Sequence, residues 1–174
     1  MNYFDSLCSA MSLLAEQPNS IFLGQAVTCE GTAMHNTLKH IDINKRLELP
    51  VIEDVQLGMC TGLSLARYLP ICIYPRINFL LLAINQLVLH LDKIPIYGNG
   101  FKPKVIIRTA IATPKPLDPG PQHLGNYTKA LEHMLDKVKI VTLSSSYYIM
   151  TEYKKAVERE GSTILVEYLS MYEK

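Results

Sequence analysis

Leu49-Pro50-Val51-Ile52-Glu53-Asp54-Val55-Gln56-Leu57-Gly58-Met59-Cys60-Thr61-Gly62-Leu63-Ser64-Leu65-Ala66 governs the reading of this chain. A short apolar run ends on an acid. The acid opens a stretch in which Leu57, Gly58, Thr61, Gly62, Leu65 and Ala66 recur at helical spacing. The glycines allow close backbone approach. A carboxylate where a strand gives way to a helix gains from the helix dipole. It also stands at the carboxyl edge of a sheet, where open α/β proteins bind ligands. Taken alone, Glu53 reads as a helix-capping acid, and the flanking sequence has to decide between that and a site.

Outward from this stretch, helices and strands alternate. Residues 4–16 place Phe4, Leu7, Met11 and Leu14 on one helical face, and a strand is expected over Ile21–Val27. Residues 28–45 are polar and read as a long loop with a helical turn; Arg46–Ile52 lead into the Glu53 helix. A buried strand follows at Leu69–Tyr74, then an unusually apolar helix over 78–93. Strands are expected at 104–110 and 139–143. Between them lie a loop with Pro114, Pro116, Pro119, Gly120 and Pro121 and a helix over 125–137. An amphipathic helix starts at Ser146 and stops near Gly161, a natural C-terminal residue; Thr163–Leu169 is the last strand. The alternation predicts a three-layer α/β/α fold with a mainly parallel sheet covered on both faces.

The chain has 174 residues, enough for one domain, 1–174, with a real core. Its net charge is +1, with lysines and arginines scattered among acids, which argues against a nucleic-acid partner. Cys8, Cys29, Cys60 and Cys72 have no metal spacing, and Cys60 and Cys72 sit in apolar surroundings. The opening residues lack the basic segment of a secretion signal, so a reducing cytoplasm is expected. The helix over 78–93 includes Phe79, Leu80, Leu81, Leu82, Leu87 and Leu91, and is apolar nearly all round. It is too short for a membrane span and contains Asn85, Gln86, His90 and Asp92. One sheet covers one face, so the other is expected against a second protein chain.

The residues Pro50-Val51-Ile52-Glu53, Gly58, Gly62, Ala66, Leu69-Pro70-Ile71-Cys72, Asn78-Phe79, Ala83-Ile84-Asn85-Gln86, Val105-Ile106-Ile107-Arg108 and Gly120-Pro121-Gln122-His123 stand in one order and spacing. Over 46–143 this pattern resembles the pyrimidine-binding domain of thiamine-diphosphate enzymes. It is nearest to the beta subunit of the pyruvate dehydrogenase first component, with transketolase and deoxyxylulose-phosphate synthase more distant. The resemblance implies that Glu53 is the acid that bonds the cofactor's pyrimidine nitrogen N1′ and exchanges a proton with the ring. An apolar setting makes such an exchange easy, and Val51, Ile52, Val55 and Leu57 are the residues available to supply it. The resemblance further implies that Phe79 packs on the pyrimidine and that Pro75 and Ile77 line the ring. The family segment is richer in aromatics and methionine there. His123, after a Pro/Gly-rich loop, matches a histidine that faces the substrate channel. A histidine there can protonate or orient a substrate carbonyl, the competing reading being a solvent-exposed loop residue. His35 and His40 are expected at the surface, and His90 and His133 as structural helix residues.

Gly98-Asn99-Gly100 with Asn126 imitates the Gly-Asp-Gly…Asn motif that holds magnesium and diphosphate. Asn99 lacks the charge that a hard cation prefers, and Phe101-Lys102-Pro103-Lys104 leads to a strand rather than a helix, so a turn is expected and no metal ligand is assigned. The family's diphosphate-anchoring half and its C-terminal domain have no counterpart among these residues. The expectation is a pyrimidine-binding subunit of a split thiamine-diphosphate enzyme, acting with magnesium, a separate diphosphate-binding chain and a small keto substrate. Transketolase-like and dehydrogenase- or acyloin-type chemistry remain open. Self-association into a heterotetramer is expected. The alternative is a non-catalytic paralogue that binds and regulates such an enzyme.

Overall fold

Alternation within the four central strands loads both faces of one sheet with apolar side chains. Phe22, Ile71, Ile73, Ile106 and Leu165 belong to one buried cluster, while their chain neighbours Leu23, Cys72, Tyr74, Ile107, Ile164 and Val166 belong to another. Period-2 geometry requires this of a sheet buried on both sides. The computed structural model describes residues 1–115 and 118–172. Over these residues the strands are β1 (Ser20–Gly24), β2 (Arg46–Glu48), β3 (Leu69–Tyr74), β4 (Ile106–Ile111), β5 (Lys139–Thr142) and β6 (Thr163–Tyr168). They form a six-stranded sheet in the order β2-β1-β3-β4-β6-β5, with every neighbouring pair parallel.

The first cluster is covered by α1 (Tyr3–Ala15) and α7 (Ser146–Glu158), through Leu7, Met11 and Leu14 on one and Ile149, Tyr153 and Ala156 on the other. The second is covered by α3 (Glu53–Leu65), the helical segment 77–91 and α6 (Thr128–Met134). The architecture is therefore three-layered α/β/α. Short helices α2 (Ala33–Asn36), α4 (Ile77–Leu80) and α5 (Ile94–Tyr97) complete it.

Beyond shifts of a residue or two at strand and helix ends, larger departures from the expected elements each have a local reason. β1 stops at Gly24 rather than Val27, because Gly24 (φ 141) and Ala26 (φ 56) turn the chain out of the sheet. The lead-in to Glu53 contains the edge strand β2, paired with β1 from Arg46 to Glu48. α6 is shorter than 125–137. Its chain leaves the helix at Leu135, and the buried Asp92 carboxylate takes the N–H groups of Asp136, Lys137 and Val138 at 3.0, 2.7 and 2.9 Å. The expected regular helix over 78–93 is instead α4, a tight turn at Leu81–Ala83 and a widened π segment at Asn85–Leu91, with a bend of 61° between the two halves. It is also not buried all round: Ile77, Leu80, Ala83, Leu87 and Leu91 turn inward, while Leu82 and Leu89 are 64% and 56% exposed. No single helix among the described residues is long and apolar enough to cross a membrane. Pro116 of the proline-rich loop lies outside the described residues.

A buried ionic cluster ties β4 to β6. Arg108 donates to Glu167 through Nε (2.5 Å) and Nη2 (3.0 Å), and through Nη1 to Thr37 Oγ1 (2.8 Å). Tyr153 (2.8 Å) and Tyr172 donate to the same carboxylate. Arg108 and Glu167 are both fully buried. Enclosed charges of this kind persist only when paired and hydrogen-bonded throughout.

Candidate functional site

The strand order reverses beside β1: the chain passes from β1 to its neighbour β2, then crosses to β3 on the other side. The carboxyl ends of β1 and β3 thus frame a topological switch point, the place where open α/β sheets bind ligands. Glu53 is built into this edge. It is the first residue of α3, directly after the edge strand β2 and a short extended link. Its backbone carbonyl accepts from the Tyr74 hydroxyl at 2.9 Å, which fastens the helix start to the last residue of β3. Gln56, one turn on, donates to the Ile73 carbonyl at 2.9 Å. Gly24 is needed here for close approach, since a Cβ would lie 2.2 Å from that carbonyl oxygen and 2.7 Å from Gln56 Nε2.

The Glu53 side chain is 5% exposed, and its Oε1 is buried without a hydrogen-bond partner among the described residues. A buried carboxylate oxygen left unpaired is costly, and such an exception calls for an explanation. The residues expected to wall it in do not all do so. Leu57 is buried, but Val51, Ile52 and Val55 are 73%, 49% and 52% exposed. The apolar setting is open on that side within this chain.

Phe79 and His123 are brought together. Their ring centroids lie 5.4 Å apart at 57°, and both are partly exposed. His123 closes a single helical turn, Pro121–His123, and its Nδ1 lies 3.0 Å from Asn78 Nδ2. Ile77, by contrast, is fully buried and directed into the core. Pro75 is buried and borders a cavity of about 230 Å³ at the carboxyl edge, together with Arg76, Thr32, Thr113 and Tyr172. Glu53, Phe79 and His123 do not line that cavity.

Of the other histidines, His35 is 3% exposed and so lies inside rather than at the surface where it is expected. Thr32 caps α2 through a bond from the His35 N–H (3.1 Å), and the resulting turn sends Met34 and His35 inward. His40 is exposed and bonds Ser12 Oγ and the Cys8 carbonyl. His90 and His133 are exposed on their helices. Cys60 and Cys72 are buried, and burial pushes the Cys60 thiol well up. Gly98–Gly100 form a turn, closed by a bond from the Phe101 N–H to the Gly98 carbonyl (2.9 Å), with Asn99 at φ 50.

Sequence reasoning missed Glu48. Its carboxylate accepts from the N–H groups of Ala26 (2.7 Å), Val27 (2.7 Å), Thr28 (2.6 Å) and Cys29 (3.3 Å), and so shapes the loop that follows β1. Burial works against its charge, but these donors outweigh burial and hold the carboxyl below its ordinary range. Sequence reasoning gave no role to Asn78, although Asn78-Phe79 is a piece of the pattern that carries the resemblance.

No family model matches this sequence, and no curated protein does. Among solved structures, it is similar to a chain described as "Split gene transketolase, inactive beta4 tetramer", with a TM-score of 0.65 and 18% identity. The similarity covers 97% of this chain and 51% of that one, so this chain spans about half the length of the structure it matches. The shared fold is that of a transketolase-like α/β domain.

Proposed function

We propose that this chain is the pyrimidine-binding subunit of a split thiamine-diphosphate enzyme, active only with a separate diphosphate-binding chain. The observation that carries the reading is Glu53: a buried acid with an unpartnered oxygen, at the first turn of a helix on the switch-point edge. The donor set fits the cofactor's pyrimidine. Glu53 would hold the ring nitrogen N1′ and exchange one proton with it, and Phe79 would pack against the ring. Ile77 would back that surface from the core side, and Pro75 would line the adjoining cavity at the same edge. Val51, exposed here, would be covered by the second chain. When bound, thiamine diphosphate supplies a stabilised carbanion equivalent for cleaving and forming bonds next to a carbonyl. Magnesium would be held mainly by the partner. His123 would meet the oxygen of the keto substrate.

The fold likeness to about half of one chain of a split-gene transketolase is the support for placing transketolase-like transfer first. That neighbour is described as an inactive β4 tetramer, and self-association of this chain would cover Val55 and Met59 on α3 and Leu82 and Leu89 on the 77–91 segment, all exposed here. The test is Glu53→Gln in the chain co-purified with a diphosphate-binding subunit. An amide cannot exchange the proton, so ketol transfer should fall at least about 100-fold, in keeping with the loss of acid–base catalysis, while assembly is unchanged. Turnover near that of the unmodified chain would overturn the assignment. Absence of both turnover and cofactor binding in the unmodified assembly would point to the regulatory paralogue.

A further inference from the structure

His123 can meet a substrate oxygen in two ways. With the proton on Nε2 it is a hydrogen-bond donor; with the proton on Nδ1 it offers a bare Nε2, a base. Which tautomer is present is set by what the other ring nitrogen bonds. Here that nitrogen, Nδ1, lies 3.0 Å from Asn78 Nδ2. An amide nitrogen only donates, so Nδ1 must accept, and the proton must sit on Nε2. The opposite amide orientation would turn Oδ1 toward Nδ1 and place the amide N–H₂ where Oδ1 now lies. Oδ1 is buried there without a partner among the described residues. An unpaired carbonyl oxygen is the more tolerable orphan, whereas an N–H₂ group would leave two donors without an acceptor.

We propose that Asn78 is a positioning residue that holds His123 in the Nε2–H tautomer, so that His123 presents a hydrogen-bond donor, and not a base, to the carbonyl oxygen of the substrate. The inference rests on the reading above that His123 serves the site. Phe79 completes the support, its ring packed at 5.4 Å from the imidazole and limiting rotation. The geometry also bears on what His123 does with its proton. A ring that took up a second proton would need the Asn78 amide to rotate, because Nδ1–H and Nδ2–H₂ cannot share one contact. His123 therefore orients and polarises the oxygen and keeps its proton. Asn78 is joined to Phe79 in the chain and lies in the same helical turn, so one short segment sets both the aromatic surface and the tautomer.

Long-range ¹H–¹⁵N correlation spectra of the ¹⁵N-labelled chain, assigned with His123→Gln, test this without any cofactor. The expected result is a pyridine-type Nδ1 and a pyrrole-type Nε2 for His123. In Asn78→Asp, which keeps the shape but can only accept, the pattern should invert to Nδ1–H. In Asn78→Ala the ring should relax toward the mixture of free imidazole. An Nδ1–H signal in the unmodified chain, or a His123 pattern that ignores both substitutions, would overturn the proposal. In the active assembly, Asn78→Asp should lower kcat about tenfold or more and leave cofactor affinity nearly unchanged. An equal loss in cofactor affinity would mark Asn78 as merely structural. Failure of the Glu53→Gln test with these spectra as expected would overturn the function and leave the tautomer device standing.

Discussion

Glu48 and Glu53 lie five residues apart and have opposite surroundings. Glu48 is saturated by four backbone donors, whereas Glu53 keeps a buried oxygen unpaired. The first builds the loop; the second is the one with capacity left for a ligand. The place of Glu53 at a helix start was legible because the acid and the helical spacing that follows it are adjacent in sequence. Glu48 was not, since its donors stand about twenty residues earlier and only the β1–β2 pairing brings them together. Its depressed carboxyl gives a pH prediction. A group whose folded value is lower than its unfolded value contributes fully above the unfolded carboxylate range, and that contribution is lost as pH falls through the folded value. Glu48→Gln should cost about 2 kcal/mol near neutrality, the scale of charge-assisted bonds lost, and flatten the acid side of the stability profile. Denaturant unfolding across the pH range checks this; identical acid limbs for the two proteins would contradict it.

At the scale of elements, β3 was read to the residue because an apolar run bounded by a turn and a proline leaves few alternatives. One regular helix is expected over 78–93, whereas the structure bends by 61° between Ile77–Ala83 and Asn85–Tyr97. No glycine or proline stands at that break, between Ala83 and Asn85, so no residue there announces it; the buried Asp92 carboxylate, further along, is what shortens α6. The bend leaves Leu82 and Leu89 on the outside. Together with Val55 and Met59 they offer the kind of apolar surface that interfaces cover. Leu82→Asp with Leu89→Asp should weaken self-association at least about tenfold, as charges at an interface core do, with unchanged circular dichroism. Light scattering reads the outcome, and an unaltered mass over a dilution series would place the interface elsewhere.

Across the whole molecule, the alternation of helix and strand was enough to give a parallel three-layer sheet, because a sheet buried on both faces permits little else. The strand order and the Arg108–Glu167 cluster were not legible: residues 59 apart meet only through the β4–β6 pairing. Glu167→Leu should destabilise the chain by about 3–5 kcal/mol, because it strands a buried guanidinium. Thermal unfolding would register it as a large fall in Tm, and a change within error would mean that Arg108 finds water or another acceptor. Whether this chain holds half a site that a second chain completes can be read from calorimetric titration of thiamine diphosphate with magnesium. Most of the affinity for so charged a ligand belongs to metal and phosphate contacts. Binding to this chain alone should be weak or undetectable, with little magnesium dependence, and should become tight and magnesium-dependent once the diphosphate-binding chain is added. Tight, magnesium-dependent binding by this chain alone would contradict the half-site.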